Sequence, residues 1–409
     1  MILKETLRHI IKSQRDELLL YEEGIEREKT KQIDLDVPFA IVISGVKRCG
    51  KSTLMRLMMK KVKNFYYINF DDPRLINFEV NDFQRLNDVF LEEYGNSGYY
   101  FFDEIQNVQK WELFVRMLLD KKRHVVITGS NASLLSRELG TRLTGRHLRY
   151  ELFPFSFKEF LSLTDKKASI NSFQNYFFKG GFPEYLKIGR AEILQELFND
   201  ILIRDIAARY KIKNIKILKE MALYLITNIG KEFSYNSLKK IFSLGSVHSI
   251  ISYISYFEDS YLLFTIPKFD YSLRKQLINP KKVYSIDNGL THVNSASFSE
   301  DKGRMLENMV FLNLRRSYRD IFYFREKGEC DFVVKEDEKI KYVIQVCYEL
   351  DEENKNREIS GLIEAMKKFD LKEGFILTYN QEDKIEMGSR KIFVKPVLDM
   401  GIVTMAAGS

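Results

Sequence analysis

The stretch VPFAIVISGVKRCGKSTLMRLMMKKVK, residues 37–63, constrains this chain more than any other. An apolar, β-branched run ends at Ser44. A loop follows, Gly45-Val46-Lys47-Arg48-Cys49-Gly50-Lys51-Ser52-Thr53, and then Leu54, Leu57, Met58 and Val62 recur at helical spacing. The loop fits G-x4-G-K-[ST] in the strand–loop–helix context that gives the pattern meaning. Its glycines let the backbone curl so that N–H groups converge on phosphate oxygens at the positive end of a helix. Lys51 is expected to reach the β- and γ-phosphates, and the Ser52 hydroxyl to ligate Mg²⁺.

Further strands follow. KNFYYINF runs into Asp71-Asp72-Pro73-Arg74, and GYYFFDEIQNV ends its apolar run at Asp103-Glu104. An acidic pair after a strand is otherwise a solvated strand end. Downstream of a phosphate loop it predicts Asp103 holding Mg²⁺ through water and Glu104 polarising an attacking water. HVVITGS leads to Asn131, a candidate for contact with the γ-phosphate or that water, and equally a helix N-cap. An additional strand before the acidic pair and a polar residue after the fourth strand point to the AAA-type branch of the phosphate-loop ATPases. The expected fold is α/β, with a parallel sheet whose carboxyl edge carries all of these loops.

The chain resembles a prokaryotic family of AAA-type ATPases with a C-terminal region of uncharacterised function. GVKRCGKST, FDDPR, FFDEIQ, ITGSNASLLS, LTGRHLRYELFPFSFKEF, KGGFPEYL, YSIDNGL and the run from GRMLENMVFLNL to ECDFVV carry the resemblance, in shared order over nearly the whole chain. It implies an arginine facing the γ-phosphate, in cis or from a neighbouring subunit. Arg137, Arg142 and Arg146 are the candidates, with Arg146 preferred and a surface salt bridge as the alternative for each.

Composition excludes several classes. Cys49, Cys330 and Cys347 are too few and too scattered for a disulfide framework or a zinc site. The N-terminus MILKETLRHIIKSQRDELLLYEEG spreads charges where a signal peptide needs an apolar core, and reads as an amphipathic helix packed on the body. Without a run of 18 apolar residues no membrane helix is expected, and a reduced cytoplasmic protein is the default. The net charge is +7, and residues 211–290 hold twelve Lys/Arg against six Asp/Glu, which suits an acidic partner.

Past residue 152 the expected organisation is a helical linker (153–212), a winged-helix domain (213–290) and a nuclease-like α/β domain (291–409), after the ATPase core at 1–152. ELFNDILIRDIAARYKI fits one long helix bearing Arg204 and Asp205. Three helices and a β-hairpin make the winged helix. SVHSIISYISYFEDS is its recognition helix, with Ser246, His248, Ser249 and Ser252 near the start, and Arg274, Lys275, Lys281 and Lys282 belong to the wing. Basic wings neutralise phosphates. The recognition helix has no Arg or Lys for guanine contacts, so DNA and protein both stand as partners.

A helix, three strands and a crossover helix then follow in the order of the PD-(D/E)xK nuclease fold. Glu307 and Asp331 match its acids. Gln345 and Cys347 depart from its Glu-x-Lys, since Gln offers Mg²⁺ a neutral carbonyl and a buried thiol cannot replace an ammonium. Lys341 and Glu349 share a strand face with Gln345 but are poorly placed substitutes. The expectation is a degenerate nuclease-like site on an ATP-hydrolysing, Mg²⁺-dependent switch that recruits a partner, with the oligomeric state open. An ATPase-controlled endonuclease and an ATP-binding adaptor with negligible turnover are the alternatives.

Overall fold

A computed structural model describes residues 1–20, 24–96, 98–131, 145–296 and 301–399. The chain divides into two compact units, Met1–Lys166 with Asp259–Tyr261, and Lys167–Glu258 with Leu262–Ser409.

The first unit is built on five parallel strands, β1 (Ala40–Ser44), β2 (Tyr66–Asn69), β3 (Tyr99–Asp103), β4 (His124–Gly129) and β5 (His147–Glu151), in the order β2-β3-β4-β1-β5. The inner strands read as continuous apolar runs because parallel strands are covered on both faces. β4 separates β1 from β3, so its carboxyl end lies between the loop after Ser44 and the acids after Phe102.

Among the described residues the unit also has helices α1 (Lys4–Leu20), α2 (Lys51–Met59), α3 (Asp82–Tyr94), α4 (Trp111–Asp120) and α5 (Phe157–Thr164). The Leu7, Ile10, Ile11 stripe of α1 is buried in the core with Phe83, Phe90 and Phe102. Each such burial stabilises by roughly 1.5–3 kcal/mol. Ion pairs from Arg8 to Glu92 and Glu93 (2.6 and 2.7 Å) tie the polar face of α1 to α3.

The second unit opens with α6 (Ile170–Lys179), α7 (Pro183–Ile188) and α8 (Glu192–Asp200). The long helix expected around Arg204 and Asp205 changes character there, since Ile201–Ala208 is a π-helix. Next come α9 (Ile215–Thr227), β6 (Glu232–Phe233), α10 (Tyr235–Ile241), α11 (Val247–Asp259), β7 (Leu263–Pro267), α12 (Leu273–Ile278) and β8 (Lys281–Ser285). β6, β8 and β7 form an antiparallel sheet in that order.

The expected wing needs correction. Arg274 and Lys275 lie on α12, a helix within the β7–β8 connection, and Lys282 is only 2% exposed. Lys282 belongs to a buried ion cluster and cannot contact DNA phosphate.

After α13 (Asn288–Asn294) comes α14 (Lys302–Ser317), then a six-stranded mixed sheet. Its strands are β9 (Asp320–Arg325), β10 (Glu329–Glu336), β11 (Lys339–Val346), β12 (Glu373–Thr378), β13 (Asp383–Met387) and β14 (Arg390–Pro396), ordered β13-β14-β12-β11-β10-β9. α15 (Lys355–Lys368) links β11 to its parallel neighbour β12. The β9–β10 register shifts between Cys330 and Val333. Such an irregularity re-aims side chains, and here it falls at Asp331.

Candidate functional sites

Val46 and Cys49 anchor the loop between β1 and α2 by full burial, while Lys47 is half-buried and Arg48 exposed. Arg48 and Gly50 have φ of 61° and 100°, left-handed values that curl the loop onto the first turn of α2. Gly45 is required by packing, because a Cβ there would lie 2.1 Å from the Leu152 carbonyl oxygen. Lys51, Ser52 and Thr53 start the helix, and Lys51 Nζ donates to the carbonyls of Gly45 (3.1 Å) and Val46 (3.2 Å). Beneath the loop, the Tyr261 hydroxyl donates to Ser44 Oγ at 2.7 Å, and Arg149 Nε donates to the same oxygen at 3.1 Å.

The acids of β3 face this loop. Thr128 on β4 donates its hydroxyl to Asp103 Oδ1 and accepts the Glu104 backbone N–H at 2.9 Å. One threonine thus orients both acids. Asp103 Oδ2 is buried with no hydrogen-bond partner among the described residues. Glu104 sits at φ 50°, 3.5 Å from Lys51 Nζ, and accepts from Gln106 Nε2. Burial, then the Glu104 charge, push the Asp103 pKa up, with Thr128 and Ser52 opposing. At Glu104 desolvation opposes ionisation, but Lys51 and Gln106 outweigh it and lower the pKa. Asn131 is fully buried just past the carboxyl end of β4.

Arg146 is elsewhere. Its carbonyl accepts the Ala40 N–H and its guanidinium pairs with Asp120 at 2.8 Å. It stands at the amino edge of the sheet, a strand length of ~13 Å from the loop. This position does not suit a γ-phosphate contact in cis, and the ion pair with Asp120 is the surface salt bridge named as the alternative. Arg137 and Arg142 lie outside the described residues.

Sequence reasoning missed Arg27. It is 2% exposed and donates to Glu159 Oε1 (2.9 Å), the Cys49 carbonyl (2.8 Å) and the Phe153 carbonyl (2.7 Å). Glu159 also closes the capping box of α5 with Ser156. Nothing local in EGIEREK marks this arginine out, because its partners are 22 to 132 residues away. Thr128 and Gln106 were equally unassigned, although FFDEIQ and ITGS carry them.

A second polar cluster lies in the second unit. Glu307 on α14 and Asp331 on β10 come together at a lysine, Lys282. Both contact Lys282 Nζ, at 3.1 and 2.8 Å, and Glu329 reaches it at 2.8 Å. The Tyr284 hydroxyl donates to Glu307 Oε1 at 2.7 Å. Gln345 meets Asp331 through the backbone and not through the carboxylate. Its Oε1 accepts the Asp331 N–H (3.2 Å) and its Nε2 donates to Glu358 (2.7 Å). Cys347 bonds the Glu349 carbonyl, and burial pushes its thiol up to about 11.

Two motifs of the middle region also interlock. Asp287 in YSIDNGL accepts the N–H groups of Gly181 (2.6 Å) and Leu290 (2.9 Å). A Cβ on Gly180 would meet that carboxylate at 2.1 Å, which explains KGG. Asn308, beside Glu307, donates to Asn288 Oδ1 and accepts the Ser285 N–H.

Comparison with known proteins bears on the whole chain. An AAA domain family matches residues 38–161, and two domains of unknown function (DUF8612 and DUF4143) match 170–301 and 302–398. The chain is 38% identical to Uncharacterized protein MJ1544 of Methanocaldococcus jannaschii, over 95% of this chain and 96% of that protein. It is 32% identical to an uncharacterized protein of Haemophilus influenzae over 78% and 84% of the two chains. Among solved structures, AMPPCP-bound DnaA from Aquifex aeolicus is similar at 14% identity and a TM-score of 0.28, covering 56% of this chain and 85% of that chain. Among the described residues no helix is long and apolar enough to cross a membrane.

Proposed function

We propose that this chain, which belongs to the same family as MJ1544 of Methanocaldococcus jannaschii, is an ATP-hydrolysing AAA-type switch whose second unit contacts a partner. One observation carries the reading. A single sheet edge gathers a buried lysine on a phosphate-type loop, an acidic pair held by one threonine, and a buried asparagine.

In this reading the loop N–H groups and Lys51 bind and orient the phosphates, and water is excluded from the buried side of the loop. The orphaned Asp103 Oδ2, with Ser52 beside it, fits a hard divalent cation. Mg²⁺ bound there would neutralise phosphate charge. Glu104 stays ionised beside Lys51 and accepts the proton of a water aimed at the γ-phosphate. Asn131 helps orient that water.

For the second unit we read the three helices and sheet of 213–290 as a winged helix, and 291–409 as a nuclease-like fold without catalysis. The first unit would divide at 152, with 153–212 as a helical linker. Support for the inert reading is that Gln345 is committed to Glu358 and Cys347 to Glu349. The test is phosphate release from Mg-ATP. Wild type should turn over, and Glu104→Gln should lose on the order of 10²–10³ in rate while still binding ATP. Equal turnover by the two proteins would sink the proposal.

A further inference from the structure

An ammonium group has three N–H donors. Lys282 has three carboxylate oxygens within reach, Glu329 Oε1 and Asp331 Oδ1 at 2.8 Å and Glu307 Oε1 at 3.1 Å. We propose that the Lys282 ammonium, supplied by β8, is the resident cation of the Glu307–Glu329–Asp331 cluster and stands in place of a divalent metal. It fastens β8 to the C-terminal sheet and keeps metal out.

The surroundings fit a closed cation site. Asp331 Oδ2 is occupied by the Val346 N–H at 2.9 Å, so both oxygens of that carboxylate are used. Glu307 Oε1 serves Lys282 and Tyr284 together. Its Oε2 lies under Gly230, where a Cβ would approach to 2.8 Å, so the backbone itself closes that side. The Tyr323 ring covers the ammonium from 5.7 Å. Among the described residues no set of three His, Cys, Asp or Glu side chains is arranged to hold a metal ion. The carboxylates are arranged around the lysine instead.

A catalytic lysine relocated from position 347 would need a free N–H for a phosphate oxygen. Lys282 instead donates to Glu307 and Asp331, and Glu329 is ion-paired to it at 2.8 Å, so its charge is committed to carboxylates. Its burial also removes it from any solvent-facing substrate, and a buried charge persists only when fully paired. The assignment goes beyond the ATPase reading and is independent of it, because its test uses no nucleotide.

The experiment counts Mn²⁺ bound per chain, with no nucleotide present, for wild type, Asp331→Asn, Lys282→Ala, and Lys282→Ala with Asp331→Asn. Wild type and Asp331→Asn should bind the same amount. Lys282→Ala should melt lower in EDTA, regain stability with Mn²⁺, and bind one additional Mn²⁺ at least about tenfold more tightly than wild type does. Adding Asp331→Asn should abolish that gain. Wild-type Mn²⁺ binding that disappears in Asp331→Asn would overturn the assignment, as would a folded Lys282→Ala protein indifferent to Mn²⁺. If Lys282→Ala does not fold, the wild type and Asp331→Asn pair still decides. Equal binding supports the resident lysine, and loss refutes it.

Discussion

Arg27 Nη1 donates to the Cys49 carbonyl at 2.8 Å, so a side chain 22 residues upstream fixes the backbone of the phosphate loop. The same guanidinium is neutralised by Glu159 and held by the Phe153 carbonyl. Arg27→Met would strand Glu159 in the interior, at a cost of about 3–5 kcal/mol. Arg27→Lys keeps the charge but lacks the planar fork that reaches three acceptors at once. Chemical unfolding should therefore rank wild type above Lys above Met. ATP titration at a temperature where all three are folded should give the same order. Unchanged ATP affinity in folded Arg27→Lys would reduce Arg27 to a packing role.

Gly45 offers a cleaner test of loop geometry. An alanine Cβ there would stand 2.1 Å from the Leu152 carbonyl, so β5 or the loop must move. Gly98 is a control, since a Cβ on it meets His124 at an ordinary 3.8 Å. We expect Gly45→Ala to weaken ATP binding by about 1.4 kcal/mol or more, tenfold in affinity. Gly98→Ala should bind as wild type does. Calorimetric titration that finds both variants unaffected would mean the loop tolerates displacement.

What the sequence disclosed follows from how local each feature is. The phosphate loop was legible because its glycines, Lys51 and Ser52 lie within eight consecutive positions whose backbone needs are local. The carboxyl-edge placement of Asp103 and Glu104 followed from parallel strands alone. Arg146 misled because closeness to β5 in sequence says nothing of which edge it occupies, and in a parallel sheet the start of β5 lies opposite the loop. Lys282 misled for another reason. A lysine in a basic hairpin is ordinarily solvated, and its partner Asp331 is 49 residues away. Glu329 was hidden in plain view, two residues before Asp331 on the same strand face. The α12 insertion was missed because six residues carry too little periodicity to separate a helix from a turn.

Asp287 should leave a pH signature. Burial, opposed by the N–H groups of Gly181, Leu290 and Gly289 and by Arg316, raises its carboxyl to about 6 from the ordinary 3.8. A raised acid keeps its proton in the folded state while the unfolded chain ionises. Stability should therefore fall as pH rises from about 4 to about 6, by up to ~1.4 kcal/mol per pH unit, and level off above. Asp287→Asn loses the hydrogen bond to Gly181 and should also lose this slope. Urea midpoints at pH 4, 5 and 6 would show it. Parallel pH profiles for wild type and variant would assign the slope to other groups.

The central claim is that the loop between β1 and α2 binds ATP through Lys51, and equilibrium ATP binding measures it most directly. Lys51 Nζ now donates to the Gly45 and Val46 carbonyls of its own loop. Lys51→Ala removes the only ammonium aimed into the loop from α2 and should leave the sheet intact, as judged by an unchanged circular dichroism spectrum. Wild type should bind ATP saturably, and folded Lys51→Ala should lose binding by tenfold or more, about 1.4 kcal/mol at the least. Equal ATP affinity in the two proteins would contradict the account.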